Sequence, residues 1–475
     1  MEEKKNYSLP LAFLTMLFFM WGFITCLNDI LIPHFKAIFV LTYFESMLIQ
    51  FAFFGAYFVG SIIYFIISSI SGDPINKIGY KNGILLGLLI ASFGTFLFYP
   101  AAEMQSFGFF LAALFILALG FTLLQIAANP YVILLGKPET GSHRLSLAGA
   151  INSFGTTIAP IIGGVFILTN APSGNNIDSV KMPYIILTGI FLLLIIVFKI
   201  VALPKFTNEE SLEEKGIGAL KFPQLTLGIL AIFFYVGAEV TVGSFMSSFV
   251  GLKEIKGIPA EAATVYISLY WGSLMIGRFT GSISVFTIPN TIKRILTAII
   301  PVATFLFILL IFKIKAGAND VLDYYSMIIY YIPFIIISVI AFFIGQEKPA
   351  RTLFLFSVIC ILLLVVSLVT TGDLALWSLI SLGLYNSIMW PSIFALAIAG
   401  LGKHTSQGSS LLVMAILGGA LIPPLQGLFA DKFGIHISFI IPIFCYVYLA
   451  FYAWKVRSIL KSQGIDYEIN STIGH

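Results

Sequence analysis

The chain is read as an all-α polytopic membrane protein, two six-helix repeats plus an inserted two-helix hairpin, with about fourteen spans in all. Three observations predict this class. The 475 residues are 59% hydrophobic and only 10% charged, with a mean hydropathy of +1.01, whereas roughly 25% charge clothes a soluble domain. The apolar residues recur in blocks of about 20, the length a helix needs to cross about 30 Å of hydrocarbon. The blocks also repeat at long range. Such a composition excludes a soluble enzyme, a nucleic-acid binder and a disordered chain.

The blocks run approximately 9–35, 44–70, 82–100, 106–135, 145–169 and 183–203, then 223–250, 262–286, 292–312, 324–345, 352–371, 374–400, 409–430 and 434–455. The N-terminal MEEKKNYSLP leads into the first block without a small-residue cleavage motif, so that block is read as a retained span. The most polar connector, 204–222, divides the chain into an N-terminal six-helix bundle (1–203) and a C-terminal bundle (223–475). With the N-terminus in the cytoplasm, about 19 of the 26 Lys and Arg fall on that side and about 7 outside. This bias predicts that both termini are cytoplasmic. Cys26, Cys360 and Cys445 all lie inside apolar blocks, so no disulfide framework or thiolate metal site is expected.

Internal repetition carries the architecture. FFMWG around Gly22 matches FFYVG around Gly237, and Gly55 and Gly60 match Gly272 and Gly277. Further on, QIAANP (125–130) matches NSIMWP (386–391), and Gly155, Pro160, Gly164 and Phe166 match Gly418, Pro423, Gly427 and Phe429. The offsets are 215 and 217, then 261 and 263; the jump, 261 − 217 = 44 residues, is the size of two extra spans. The hairpin at about 292–345 supplies them, and an even insertion leaves later topology unchanged. Parallel six-span repeats are the architecture of major facilitator transporters, with the site expected at the midplane between halves.

Two acidic residues lie within spans, Asp29 and Glu239. An ionisable group at bilayer depth costs about 2.5–3.5 kcal/mol on insertion scales, so it needs a partner or a function. Lys36 and Arg278 sit near helix ends, and no Lys or Arg is expected deep enough to neutralise either acid. Each carboxyl is therefore read as protonated, hydrated or paired with a mobile cation, which is what a coupling site requires. The plainer reading of Asp29 is that it meets water near the outer end of its span.

Asn28, Gln50, Gln125, Asn129, Asn152, Asn386 and Gln426 also lie inside apolar blocks. Amides offer donors and acceptors that suit a neutral polyol, although each alone can equally be helix–helix glue worth about 0.6 kcal/mol. Trp271 and Trp390 are candidates to stack on a sugar face, packing being the alternative. No Walker A sequence, HExxH, nucleophile elbow or CxxC set occurs, so energy is expected from a gradient and not from a nucleotide.

With LNDILIP (27–33), QIAANP (125–130), RLSLAGAINSFGTTIAP (144–160), YVGAEV (235–240) and MWPSIFALAI (389–398) in view, the chain resembles the fucose–galactose–hexose symporter branch of the major facilitator superfamily, particularly its glucose/galactose permeases. The similarity covers nearly the whole chain apart from the hairpin. By resemblance, Asp29 matches the span-1 aspartate of proton and sugar handling, Asn152 a sugar-contacting asparagine and Trp390 an aromatic contact. Fucose permeases carry glutamate where this chain has Gln125, glutamine where it has Gly149 and asparagine where it has Cys26, which demotes fucose as substrate. They carry glutamine at Glu239, so the second acid has changed halves. The loop segment ISGDPINKIGYK keeps Asp73, Gly79 and Lys81 of the family's gate motif, with extra residues before them.

The resemblance implies a cation-coupled symporter of the bacterial inner membrane, monomeric, importing a monosaccharide by alternating access. The sugar expected is glucose or galactose, with co-transported H+ or Na+ and no other cofactor. Expected sugar contacts are Asn28, Gln125, Asn129, Asn152, Trp271, Asn386 and Trp390. Expected cation-coupling residues are Asp29 and Glu239, either of which stands near any bound Na+. The alternative is a carrier or exporter of another small polar solute such as fucose, mannose or an amino sugar. A membrane-embedded enzyme or a sugar sensor ranks below both.

Overall fold

The computed structural model describes residues 8–71, 74–135, 141–169, 176–201, 203–204, 218–283, 288–316, 322–345, 348–401 and 405–465. Asp73 and most of the expected linker, 205–217, lie outside these residues. The described residues are helical, with no strand among them. The long helices of the N-terminal part are α1 (Ser8–Phe39), α2 (Leu48–Ser71), α3 (Tyr80–Phe96), α4 (Phe107–Leu134), α5 (Gly141–Gly163) and α6 (Lys181–Ile200). Those of the C-terminal part are α7 (Pro223–Val250), α8 (Ala260–Ser282), α9 (Asn290–Ala316), α10 (Tyr324–Gly345), α11 (Pro349–Val369), α12 (Gly372–Asn386), α13 (Met389–Ile398), α14 (Thr405–Met414), α15 (Gly418–Phe433) and α16 (Ile440–Ser462).

Thirteen segments among the described residues are long and apolar enough to cross a membrane, with α12–α13 and α14–α15 each counted as one. The additional membrane-length helix is α8, of 23 residues, whose Glu261, Thr264, Ser268, Ser273 and Arg278 dilute its hydropathy. The α12–α13 span is broken at Ser387–Ile388, just before Pro391, which has no N–H to offer the carbonyl four residues earlier. Likewise α5 passes into a π-helical turn at Gly164–Thr169 shortly after Pro160.

The chain folds as two compact units, one comprising Met1–Leu41 and Glu45–Ile217, the other Thr42–Phe44 and Gly218–His475. In the first, α1 packs along α5, α2 along α4, and α3 between α4 and α6. In the second, α7 packs on α13, α15 and α16, α8 on α12, and α11 on α12 and α16. The hairpin joins this unit, α9 against α8 and α10 against α11 and α12.

The glycines matched between the repeats make equivalent contacts. A Cβ on Gly155 would lie 2.4 Å from the Phe19 carbonyl oxygen, and one on Gly22 would lie 2.3 Å from that of Asn152, so α1 and α5 touch backbone to backbone. In the second unit a Cβ on Gly418 would lie 1.8 Å from the Phe233 carbonyl oxygen, and one on Gly237 2.3 Å from Ile422. Only residues without a side chain permit this approach, the usual device where lipid removes the hydrophobic drive between helices.

The hairpin turns Ile295, Ile299, Leu306 and Leu310 of α9 and Ile329, Ile336, Ile340 and Phe343 of α10 outward, as a lipid-facing surface requires. Its inner anchor is Tyr331, fully buried, with its hydroxyl against Ser273 of α8 and its ring 4.8 Å from Phe305 and 5.7 Å from Trp377.

Candidate functional site

Polar side chains buried away from helix ends gather in each unit. In the first unit, Asn28 and Asp29 are neighbours on α1, buried to 0% and 1% exposure, and Gln50 on α2 is buried to 1%. The Gln50 amide bridges them: its N–H donates to Asp29 Oδ1 at 3.1 Å, and its carbonyl accepts from Asn28 Nδ2 at 3.3 Å. Asn28 Oδ1 has no hydrogen-bond partner although it is buried, an orphan acceptor of the kind that a hydroxyl satisfies.

Gln125 and Asn129 on α4 line a recess with Trp21 and Phe18 of α1 and with Phe121 and Ala128. The buried Tyr57 hydroxyl lies on the Gln125 and Trp21 side of α2. Asn152 donates to the Phe18 carbonyl at 2.9 Å, which spends one of its donors while its half-buried side chain keeps its acceptor. Trp21 and Tyr57 were not singled out from sequence; an aromatic one or two helical turns from an amide on an apolar helix reads as packing until its neighbours are known.

In the second unit, Glu239 on α7 stands at the centre of a ring of tyrosines. Tyr235, one turn earlier on the same face, donates to Glu239 Oε1 at 2.8 Å and approaches the Asn386 carbonyl at 3.0 Å. Tyr270 donates to the Glu239 carbonyl at 2.7 Å, Asn386 Nδ2 donates to Tyr270 at 3.2 Å, and Tyr446 donates to Asn386 Oδ1 at 2.8 Å. Trp390 lies beside this ring, 6.4 Å from the Tyr235 ring centre.

One expectation changes here. Arg278 Nη2 stands 3.8 Å from Glu239 Oε1, so a basic group does reach this acid. Arg278 lies in the last turns of α8, but helical side chains lean toward the N-terminus, which carries a long guanidinium back toward the middle of the span. Asn386, among the expected sugar contacts, is fully buried, with a tyrosine at each end of its amide. Trp271, also among the expected sugar contacts, is buried against Gly243, where a Cβ would meet its ring at 2.9 Å. Tyr235 was legible in principle, since a spacing of four from Glu239 places both on one helix face.

A family model described as Major Facilitator Superfamily matches residues 11–349. Over 456 residues, 95% of each chain, the protein is 42% identical to a glucose/galactose transporter of Brucella abortus biovar 1 (strain 9-941). It is 30% identical over 477 residues to the L-fucose-proton symporter of Escherichia coli K12, covering 95% of this chain and 94% of that one. The crystal structure of the transporter FucP in the outward conformation superposes with a TM-score of 0.64 at 29% identity, covering 95% of this chain and 99% of that one. The chain belongs to the Major Facilitator Superfamily. Within it the chain stands in the branch that holds the glucose/galactose transporters and the L-fucose-proton symporters; it is a transporter, not an enzyme.

Proposed function

We propose that the protein imports glucose or galactose by proton symport, exposing its sugar site to the two sides of the membrane in turn. The observation that carries the coupling is a buried, hydrogen-bonded carboxylate in each unit, Asp29 and Glu239. Gln125, which stands where fucose permeases carry a titratable acid, cannot exchange a proton, so the proton role is assigned to these two acids. The likeness to a protein named a glucose/galactose transporter over 95% of the chain supports the choice of sugar. Protons are preferred to sodium because the branch relatives named with a coupling ion are proton symporters.

Gln125, Asn129 and Asn152 are the proposed hydroxyl partners of the sugar, Asn28 Oδ1 a further acceptor, and Trp390 the stacking face. One charge carried through 100 mV supplies about 2.3 kcal/mol, which sustains sugar accumulation on the order of 50-fold. The uneven Lys and Arg distribution supports an inner-membrane orientation with both termini cytoplasmic.

Labelled glucose uptake into proteoliposomes tests this reading. An inward proton gradient is expected to raise internal sugar above the external level, and a sodium gradient at equal pH to give equilibration only. Absence of specific uptake of both glucose and galactose would refute the substrate.

A further inference from the structure

The tyrosine ring around Glu239 has fewer hydrogens than its geometry calls for when the acid is ionised. Tyr235 Oη lies 2.8 Å from Glu239 Oε1 and 3.0 Å from the Asn386 carbonyl oxygen. A phenol has one hydrogen to donate, and both neighbours are then acceptors. The other two phenols of the ring are committed. Tyr270 gives its hydrogen to the Glu239 carbonyl, Asn386 Nδ2 gives one to Tyr270, and Tyr446 gives its own to Asn386 Oδ1.

One added proton completes the set. With Glu239 protonated, its carboxyl donates to Tyr235 Oη, and Tyr235 donates to the Asn386 carbonyl. With Glu239 ionised, the Tyr235 hydrogen turns to the carboxylate, and the Asn386 carbonyl loses that donor. No proton leaves the tyrosine in either state; only its hydroxyl rotates. Asn386 is the last residue of α12, immediately before the break at Ser387–Ile388, and α13 beyond the break carries Trp390.

We propose that Tyr235 is a positioning residue, a one-hydrogen switch that ties α7 to the break between α12 and α13 when Glu239 holds a proton and releases it when the proton leaves. This rests on the reading of Glu239 as a proton carrier and adds the route by which its proton is felt at a candidate sugar-stacking residue. The titratable and charged groups facing the switch are Arg278 and Tyr270 from α8, Tyr446 from α16, and Cys360 of α11 beside Tyr446. α13 and α15, also packed on α7, bring Trp390 and Gln426, neither of which titrates. Arg278, at 3.8 Å, balances the charge of the ionised acid.

The test uses the full-length protein in proteoliposomes. Tyr235→Phe removes the switch hydrogen and keeps the ring. Proton-driven sugar accumulation is expected to fall about tenfold, with sugar counterflow at matched pH retained within about twofold. In Glu239→Gln the amide N–H donates to Tyr235 permanently, so counterflow is expected to persist, accumulation to be lost, and added Tyr235→Phe to lower accumulation no further. Wild-type accumulation in Tyr235→Phe, with Glu239→Gln uncoupled, would overturn the switch and leave Glu239 as carrier. Wild-type accumulation in Glu239→Gln would overturn both.

An infrared readout decides the matter without transport, including where Tyr235→Phe is inactive. The carbonyl band of a protonated carboxyl that vanishes in Glu239→Gln is expected to shift in Tyr235→Phe; an unshifted band refutes the contact.

Discussion

Gln50 holds Asp29. Its N–H reaches Asp29 Oδ1 at 3.1 Å from the neighbouring helix, while its carbonyl is fixed by Asn28 at 3.3 Å, so the amide is oriented at both ends. A buried carboxyl proposed to carry the coupling proton needs its oxygens aimed, and Gln50 of α2 aims one of them.

Gln50→Leu keeps the bulk and removes the donor. Hydrogen bonds to charged groups are worth about 1.5–3 kcal/mol, so initial rates of proton-driven sugar uptake are expected to fall tenfold or more, with folded protein still recovered. Gln50→Asn, one methylene shorter, is expected to fall in between. Wild-type rates in Gln50→Leu would show the bond to be idle.

The equivalent glycine contacts predict a contrast along one helix. In Gly155→Ala the new methyl would sit 2.4 Å from the Phe19 carbonyl, a backbone atom that cannot rotate away, so α1 and α5 must separate. Overpacking of this kind costs about 1–3 kcal/mol. At Gly149, two turns earlier on α5, a Cβ meets nothing within 4 Å. Thermal unfolding in detergent is expected to drop for Gly155→Ala and stay unchanged for Gly149→Ala. Equal midpoints would contradict the backbone contact.

The repeats were legible because the residues that match, Gly22 with Gly237 and Gly155 with Gly418, are fixed by helix contact and not by surface chemistry. The span count was legible for the reason hydropathy works at all, since bilayer thickness sets block length. The candidate sites were legible only as lone anomalies. Asp29 and Glu239 stood out because charge at depth is costly, whereas Tyr235, Tyr270 and Tyr446 did not, because a tyrosine on an apolar helix looks like packing until its hydroxyl meets one. Arg278 lies near the end of α8 and still reaches Glu239, because position along a helix does not limit the reach of a long side chain.

The hairpin predicts a graded response at Tyr331. Ser273 keeps a hydrogen bond to the Leu269 carbonyl at 2.6 Å when the phenol is gone, so Tyr331→Phe is expected to cost about 1 kcal/mol. Tyr331→Ala also removes a ring buried against Phe305 and Trp377, and is expected to cost about 3–5 kcal/mol. Thermal or chemical unfolding of the purified protein checks the ratio. A hairpin merely laid against the second unit by lipid would show little difference between the two.

The Glu239–Arg278 pair predicts non-additivity. Arg278 is 28% exposed and its nitrogen is 3.8 Å from the acid, so this is a loose pair that compensates charge more than it forms a directed bond. Removing the guanidinium strands a largely buried carboxylate, and Arg278→Gln is expected to destabilise the protein by about 1–3 kcal/mol, less than for a tight buried pair. In Glu239→Gln/Arg278→Gln no charge remains to be compensated, and the neutral amide still holds Tyr235 through its own N–H. Most of the stability lost in Arg278→Gln should therefore return. A double-mutant cycle on unfolding midpoints reads this directly. Additive single effects would mean that the two groups do not feel each other, and that Glu239 keeps its place through the tyrosine ring alone.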